Sequence, residues 1–389
     1  MAINRILKQV REQRHLGLED VASFTKISLA RLSEMETGDR EPTYRQLEKL
    51  ADTYGLPSYV FASDALPNLS ETIPDFRRQQ VAPAHLTPAG MRRILHAEST
   101  SNLTRQLATE LKYKPPEWSK DVPTGEPTPA LARLIREFFD DWALSRSTEF
   151  KFTGQPEQVF FGCFRTFLEV QGTIVNSNDA PPTDYLGFYI QPEAGQPLAF
   201  VNRKISSRKA QLFTLVHEFA HSLLQASGIS NPFIVSNPIE RACNRFTAEF
   251  LAPMESFRTL VEKASPTVRK ETDTFVRWVA RQTLLSQHAT AIRLKEGGYL
   301  SEDSLRSWER TRAKFPAAEK EEEADGTDSR GAVHAKRAGE LGYLPTYLSS
   351  QAVQLRLIDG VDVQTSLSLS EGLQEKAFSL VTRRFDAAQ

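Results

Sequence analysis

Two cysteines in 389 residues, Cys163 and Cys243, stand far apart and in no CxxC pair. That scarcity excludes a disulfide framework and a cysteine-rich zinc finger, and it fits a reducing cytoplasm. Long apolar runs are missing too: none approaches the roughly 18–20 residues of a membrane span. The first residues, MAINRILKQVREQRH, carry charge throughout and lack the apolar core of a signal peptide. Net charge is only −1, so the whole molecule has no strong pull on polyanions, and any nucleic-acid binding must come from a local surface. What is present is a globular composition, 40% hydrophobic and 25% charged, long enough for two or three domains.

Composition along the chain suggests its divisions. Residues 1–65 are a block of short helical patterns. Residues 66–130 contain proline-rich linkers and connecting helices. Residues 131–312 open with helices at 130–145 and 156–172. The period then shifts to two, and TIVNSN, DYLGFYIQ and PLAFVN read as three short strands. Helices resume at about 207–225 and 238–251 and continue to 312. Residues 313–334 are charged and nearly free of large apolar side chains, as flexible linkers are. A small helical region, 335–389, closes the chain. The fold class expected is α+β, mostly helical, with a small three-stranded sheet.

In the N-terminal block, Ile6, Leu7 and Val10 form the inner face of a first helix. Gly17 turns the chain into a second. Ser28 is placed to N-cap a third, Gly38 to close it, and Pro42 to start a fourth. Two short helices joined by a tight turn, within a bundle of about five, make a helix-turn-helix layout. Residues 3–62, through Leu18–Ala22, Glu36, Gly38 and Pro42, resemble the Cro/CI-type (Xre family) DNA-binding domains. The resemblance implies operator DNA as partner, pairing on two-fold sites as a homodimer, and base contacts from Ser28, Leu29, Ala30, Arg31 and Glu34. Leu29 and Ala30 could touch thymine methyls, and Arg31 a guanine or a phosphate. Two features weigh the other way. Glu34 would repel phosphates, and residues 1–62 hold nine Lys or Arg against nine Asp or Glu. Dimerisation or partner docking therefore stands beside DNA binding as a use for the block.

LVHEFAHSLLQ, residues 215–225, sets two histidines four apart with a glutamate after the first. Stepped at about 100° per residue, its apolar residues fill a wide arc. The remainder is one polar strip: Thr214, His217, Glu218, His221 and Ser222. A helix this apolar is buried, so the strip lines a site rather than facing water. The spacing brings both imidazoles within reach of one metal ion, for which Zn2+ is the natural candidate. Glu218, off to the side, can take a proton from an attacking water and pass it to a leaving amine. The third ligand comes from NPIERACNRFTAEFLAP, 237–253, whose apolar face is read as Ile239, Ala242, Cys243, Phe246 and Phe250. Glu240 flanks that face and is the candidate. A rival reading has Glu240 at position N3 of a capping box begun by Asn237. Asn244, one turn on, could hold a ligand histidine by hydrogen bond. Glu249 points away, next to Arg245, as a surface ion pair would.

The strands, then SSRKAQLFTLVHEFAHSLL, then ERACNRFTAEFLAP, resemble the ImmA/IrrE family of zinc metallopeptidases over about residues 155–300. That resemblance implies a zincin-like domain with ligands His217, His221 and Glu240, and Glu218 as base. It also implies a partner repressor as protein substrate, in a stress or mobile-element response. The alternative is a DNA-binding regulator or antitoxin-like protein whose peptidase domain only senses metal or docks a partner.

Overall fold

The computed structural model describes residues 2–14, 16–56, 58–62, 87–146, 154–191, 195–205, 207–224, 228–230, 238–313 and 332–389. Most of the proline-rich 65–90 stretch and of the charged linker lies outside them.

Four helices open the chain: α1 (Ala2–Gln13), α2 (Leu18–Thr25), α3 (Leu29–Thr37) and α4 (Tyr44–Tyr54), followed by a 3-10 turn at Ser58–Ala62. The turn takes the place of the fifth helix. Ile6, Leu7 and Val10 are buried with Val21, Leu32, Met35 and Leu50. The caps follow local chemistry. Asp20 accepts from the Gly17 N–H (2.8 Å), and Ser28 accepts from the Arg31 N–H (3.4 Å). Gly38 ends α3 at φ 90°, where a side chain would be strained. The fourth helix starts later than Pro42: Thr43 is its N-cap and shares a capping box with Gln46. Arg11 clamps Glu36 through two bonds of 2.7 and 2.8 Å, tying α1 to α3.

α5 (Pro88–Glu110) comes next, starting from Thr87, whose side chain accepts from the Gly90 N–H (3.2 Å). It packs against α2 and α4 on one side and β3 on the other. Arg14 of the N-terminal block forms a buried ion pair with its Glu98. Then follow α6 (Pro129–Ser145), α7 (Pro156–Val170), β1 (Ile174–Asn178), β2 (Gly187–Ile190) and β3 (Leu198–Asn202). α8 (Arg208–Leu223), β4 (Gly228–Ser230) and α9 (Pro238–Leu251) complete the site region. The helices α10 (Met254–Glu262), α11 (Pro266–Lys270), α12 (Thr272–Arg281), α13 (Gln287–Glu296) and α14 (Glu302–Ala313) extend it. Last come α15 (Val333–Leu341), α16 (Tyr343–Gln354), α17 (Gly360–Leu367) and α18 (Glu371–Ala388).

The three expected strands form, and a fourth joins them. The order is β1-β3-β2-β4, with β1 parallel to β3 and the other pairs antiparallel. β4 pairs Gly228 with Tyr189 and Ser230 with Gly187. Every residue of the first three strands is buried except Asn178 at the end of β1, because helices cover the sheet. Part of that cover comes from the far end of the chain: α15 and α16 pack on β1, and α18 packs on α7. Arg165 of α7 pairs with Glu169 (2.7 Å) and donates to the carbonyls of Val175 and Gly339. Glu169 in turn accepts from the Leu344 N–H (2.6 Å). A chain of aromatic rings joins the site helices. Phe164 meets Phe219 edge-on at 5.5 Å and Phe250 at 5.0 Å, and Phe139 meets Phe164 at 5.3 Å. These rings fix α8 and α9 against α6 and α7.

Candidate metal centre

α8 begins at Ser207, which accepts from the Ala210 N–H (3.2 Å). Gln211 braces the same end by donating to the Ile205 carbonyl (2.7 Å). From Leu212 to Ala220 the apolar residues are buried, apart from half-buried Phe213, as the sequence pattern requires. The polar strip is buried with them: His217 is 1% exposed, Glu218 0% and His221 4%. Buried polar groups of this kind need partners or a ligand.

α9 crosses α8 and brings Glu240, 3% exposed, onto the histidines. Its Oε2 lies 3.1 Å from His217 Nε2, and its Oε1 lies 3.3 Å from His221 Nε2. The two Nε2 atoms are 3.2 Å apart. One donor atom from each residue falls within 4.8 Å of the others. Asn237, the expected cap partner of Glu240, lies outside the described residues. Burial would raise the Glu240 carboxyl, but hydrogen bonds from His217 and His221 pull it down to about 2. His217 titrates below its ordinary range, first because burial disfavours its charged form. Asn244 acts on His217 in the opposite direction. A neutral His217 and an ionised Glu240 are protonation states that a divalent cation needs. Two histidines with a glutamate are also a donor set used at catalytic zinc. The residues present therefore fit Zn2+.

Glu218 packs on the sheet. Gly187 of β2 faces it so closely that an added Cβ would sit 2.5 Å from Glu218 Oε1 and 2.5 Å from Thr214 Cγ2. Only hydrogen fits there, and this contact sets how close α8 lies to β2. Nothing in the sequence pattern singled out Gly187, although a glycine opening a buried strand is the kind of signal that marks close approach.

Two expectations on α9 meet corrections. Ile239 is 45% exposed and does not join the apolar face, because it sits at the open start of the helix. Glu249 is buried, and it bonds Arg293 of α13 and Arg133 of α6 (2.9 Å) rather than Arg245. Those partners come from distant elements that helical spacing alone does not reveal. Cys243 is buried as expected, with its thiol pushed up by burial and the neighbouring carboxylates.

In the N-terminal block, Ser28, Leu29 and Ala30 are exposed at the start of α3, and Arg31 and Glu34 are half-buried. Leu29 keeps 44% of its surface open. Glu34 pairs with Arg40 at 3.3 Å, which offsets part of the repulsion it would offer to a phosphate. No helix among the described residues is long and apolar enough to cross a membrane.

Comparison with known proteins matches these two regions. Residues 5–59 match the family model of a helix-turn-helix domain, and residues 168–295 that of an IrrE N-terminal-like domain. A curated relative is the HTH-type transcriptional regulator DdrOP3 of Deinococcus deserti. It is 28% identical over 99 residues, which cover 24% of this chain and 77% of that protein. No solved structure matches the chain with significance. The chain thus joins a region that matches a helix-turn-helix domain to one that matches an IrrE N-terminal-like domain.

Proposed function

We propose that this protein is a cytoplasmic transcriptional regulator with a zinc-dependent endopeptidase site that cleaves one specific protein, such as a partner repressor. The observation that carries the reading is the convergence of His217, His221 and Glu240, from two helices, beside the buried Glu218. A divalent cation held by the three would supply Lewis acidity at a scissile carbonyl. Glu218, kept beside β2 by Gly187, takes the proton of the attacking water and returns it to the leaving amine. Asn244 orients His217. Burial of the strip excludes bulk water and strengthens each of these interactions.

The N-terminal block supplies the address. Ser28, Leu29, Ala30 and Arg31 form the face offered to a major groove, and a two-fold operator would be read by a homodimer. Holding the peptidase on DNA next to a bound repressor raises its effective concentration there. The test is to purify the full chain, measure its zinc, and follow cleavage of the repressor encoded beside it. Wild type should hold about one zinc per chain, and Glu218→Gln should keep the zinc and lose cleavage. Undiminished cleavage by Glu218→Gln would sink the role given to this residue.

A further inference from the structure

The four residues of the proposed peptidase site are sealed: none of His217, Glu218, His221 and Glu240 exceeds 4% exposure. A metal centre that cuts a polypeptide must offer a position to its substrate. The structure therefore holds the site closed.

β4 stands next to the catalytic glutamate. In the chain it falls between α8 and α9, the two helices that carry the ligands. It is the outermost strand of the sheet, three residues long, and β2 is its main contact. The register sets Ser230 opposite Gly187 and Gly228 opposite Tyr189. Gly187 is the residue that lies against Glu218 and Thr214. Residues directly opposite in an antiparallel pair share a face, so positions 228 and 230 lie on the α8 face of the sheet. Ile229 is opposite Phe188, on the other face, where Phe188 stacks on Phe200 at 4.6 Å.

The edge that β4 fills is the one a bound peptide would use. Extended peptides bind by adding a strand to an open sheet edge. One edge of β2 is taken by β3, and β4 takes the other. A segment paired at that second edge runs past Gly187, and so past Glu218. A three-residue edge strand opens locally at small cost. Its attachment to α8 and α9 keeps it at high effective concentration, so it returns unless a competing segment takes its place.

We infer that β4 is a built-in stand-in for substrate: it pairs with β2 and closes the metal centre until a substrate segment displaces it and pairs there instead. The inference rests on the peptidase reading above. It also describes the segment that fits. The two positions on the α8 face hold small residues, Gly228 and Ser230, and the position between them holds the β-branched Ile229. A matching substrate is an extended stretch with a branched apolar residue between two small ones.

The full chain loaded with zinc tests this through the rate at which the chelator pyridylazoresorcinol strips the metal. Neighbouring N–H groups of a strand point to opposite sides. The double variant Gly228→Pro/Ile229→Pro therefore removes a donor to β2 whichever of the two faces it. It should release zinc about three- to tenfold faster than wild type, the scale of one backbone hydrogen bond. It should also cut the repressor encoded beside it faster. Ile229→Gly keeps every N–H, loses the branched side chain and should release zinc faster too; it carries the test if the proline variant does not fold. Zinc release at the wild-type rate from a folded variant overturns the inference and leaves the peptidase reading intact. So does faster zinc release with slower cleavage, which would make β4 part of the substrate's seat rather than its rival. A chain that takes up no zinc removes the peptidase reading and this inference with it.

Discussion

Replacing Glu240 by glutamine separates two jobs that this side chain could do. A capping box accepts Glu or Gln at N3 alike, so Glu240→Gln leaves a purely capping residue in place. As a metal ligand it loses the charge that now faces both imidazoles, at 3.1 Å from His217 and 3.3 Å from His221. Zinc at a hundredfold excess over its Kd stabilises the folded state by about 2.7 kcal/mol. Over a chain of 389 residues that raises Tm by roughly 3 °C. Loss of groups that merely orient ligands costs about 10- to 100-fold in metal affinity, so loss of a ligand should cost at least about 100-fold. At the same zinc concentration the stabilisation then falls to about 0.4 kcal/mol, about 0.5 °C. The assay is thermal unfolding of both proteins, apo and with zinc, alongside metal analysis of each. A variant that keeps the full zinc-dependent rise would refute the assignment of Glu240 as a ligand.

The other predictions concern stability, address and helix placement. Glu249→Ala removes one of two carboxylates from buried Arg293, which keeps Glu296 and the Ala252 carbonyl, and should cost about 1.5–3 kcal/mol in urea unfolding. Burial would raise the Glu249 carboxyl, yet bonds from Arg293 and Arg133 hold it below its usual 4.5. Its contribution is therefore present above about pH 4.5 and lost as pH falls through the lower folded value; Glu249→Gln should flatten that acid limb. Ser28→Ala removes the α3 cap and should destabilise the N-terminal block by about 1 kcal/mol, seen as earlier loss of its helical signal. Arg31→Ala should weaken operator binding by about 1–3 kcal/mol in a gel-shift titration, and equal affinity would remove Arg31 from the reading face. Gly187→Ala forces a methyl against Glu218 and Thr214 and should cost about 1–3 kcal/mol. Zinc should be retained in that variant while cleavage falls, because His217 and His221 sit elsewhere on α8 and Glu240 on α9.

What the chain spells out locally could be read without coordinates. Ser28 and Gly38 bound α3 because caps act within one turn. The polar strip on α8 follows from helical period alone. That Glu240 lies beside the histidines was reachable because it flanks the apolar face of its helix. Features that depend on distant partners were not legible. β4 is three residues long and exists through its register with β2. Glu249 stands at a solvent-like angle on α9 and is buried because α6 and α13 bring arginines to it. The packing of α5 against both the N-terminal helices and β3 has no counterpart in its amphipathicity, since it is covered on several sides.

β1 is an outer strand of the sheet, and α15 and α16, within residues 333–354, pack on it beside α7. A ribosome therefore releases the sheet before part of its cover exists. During that interval a strand edge with unpaired backbone groups is open to other nascent chains. Truncation before residue 333 should therefore make the protein precipitate rather than work slowly.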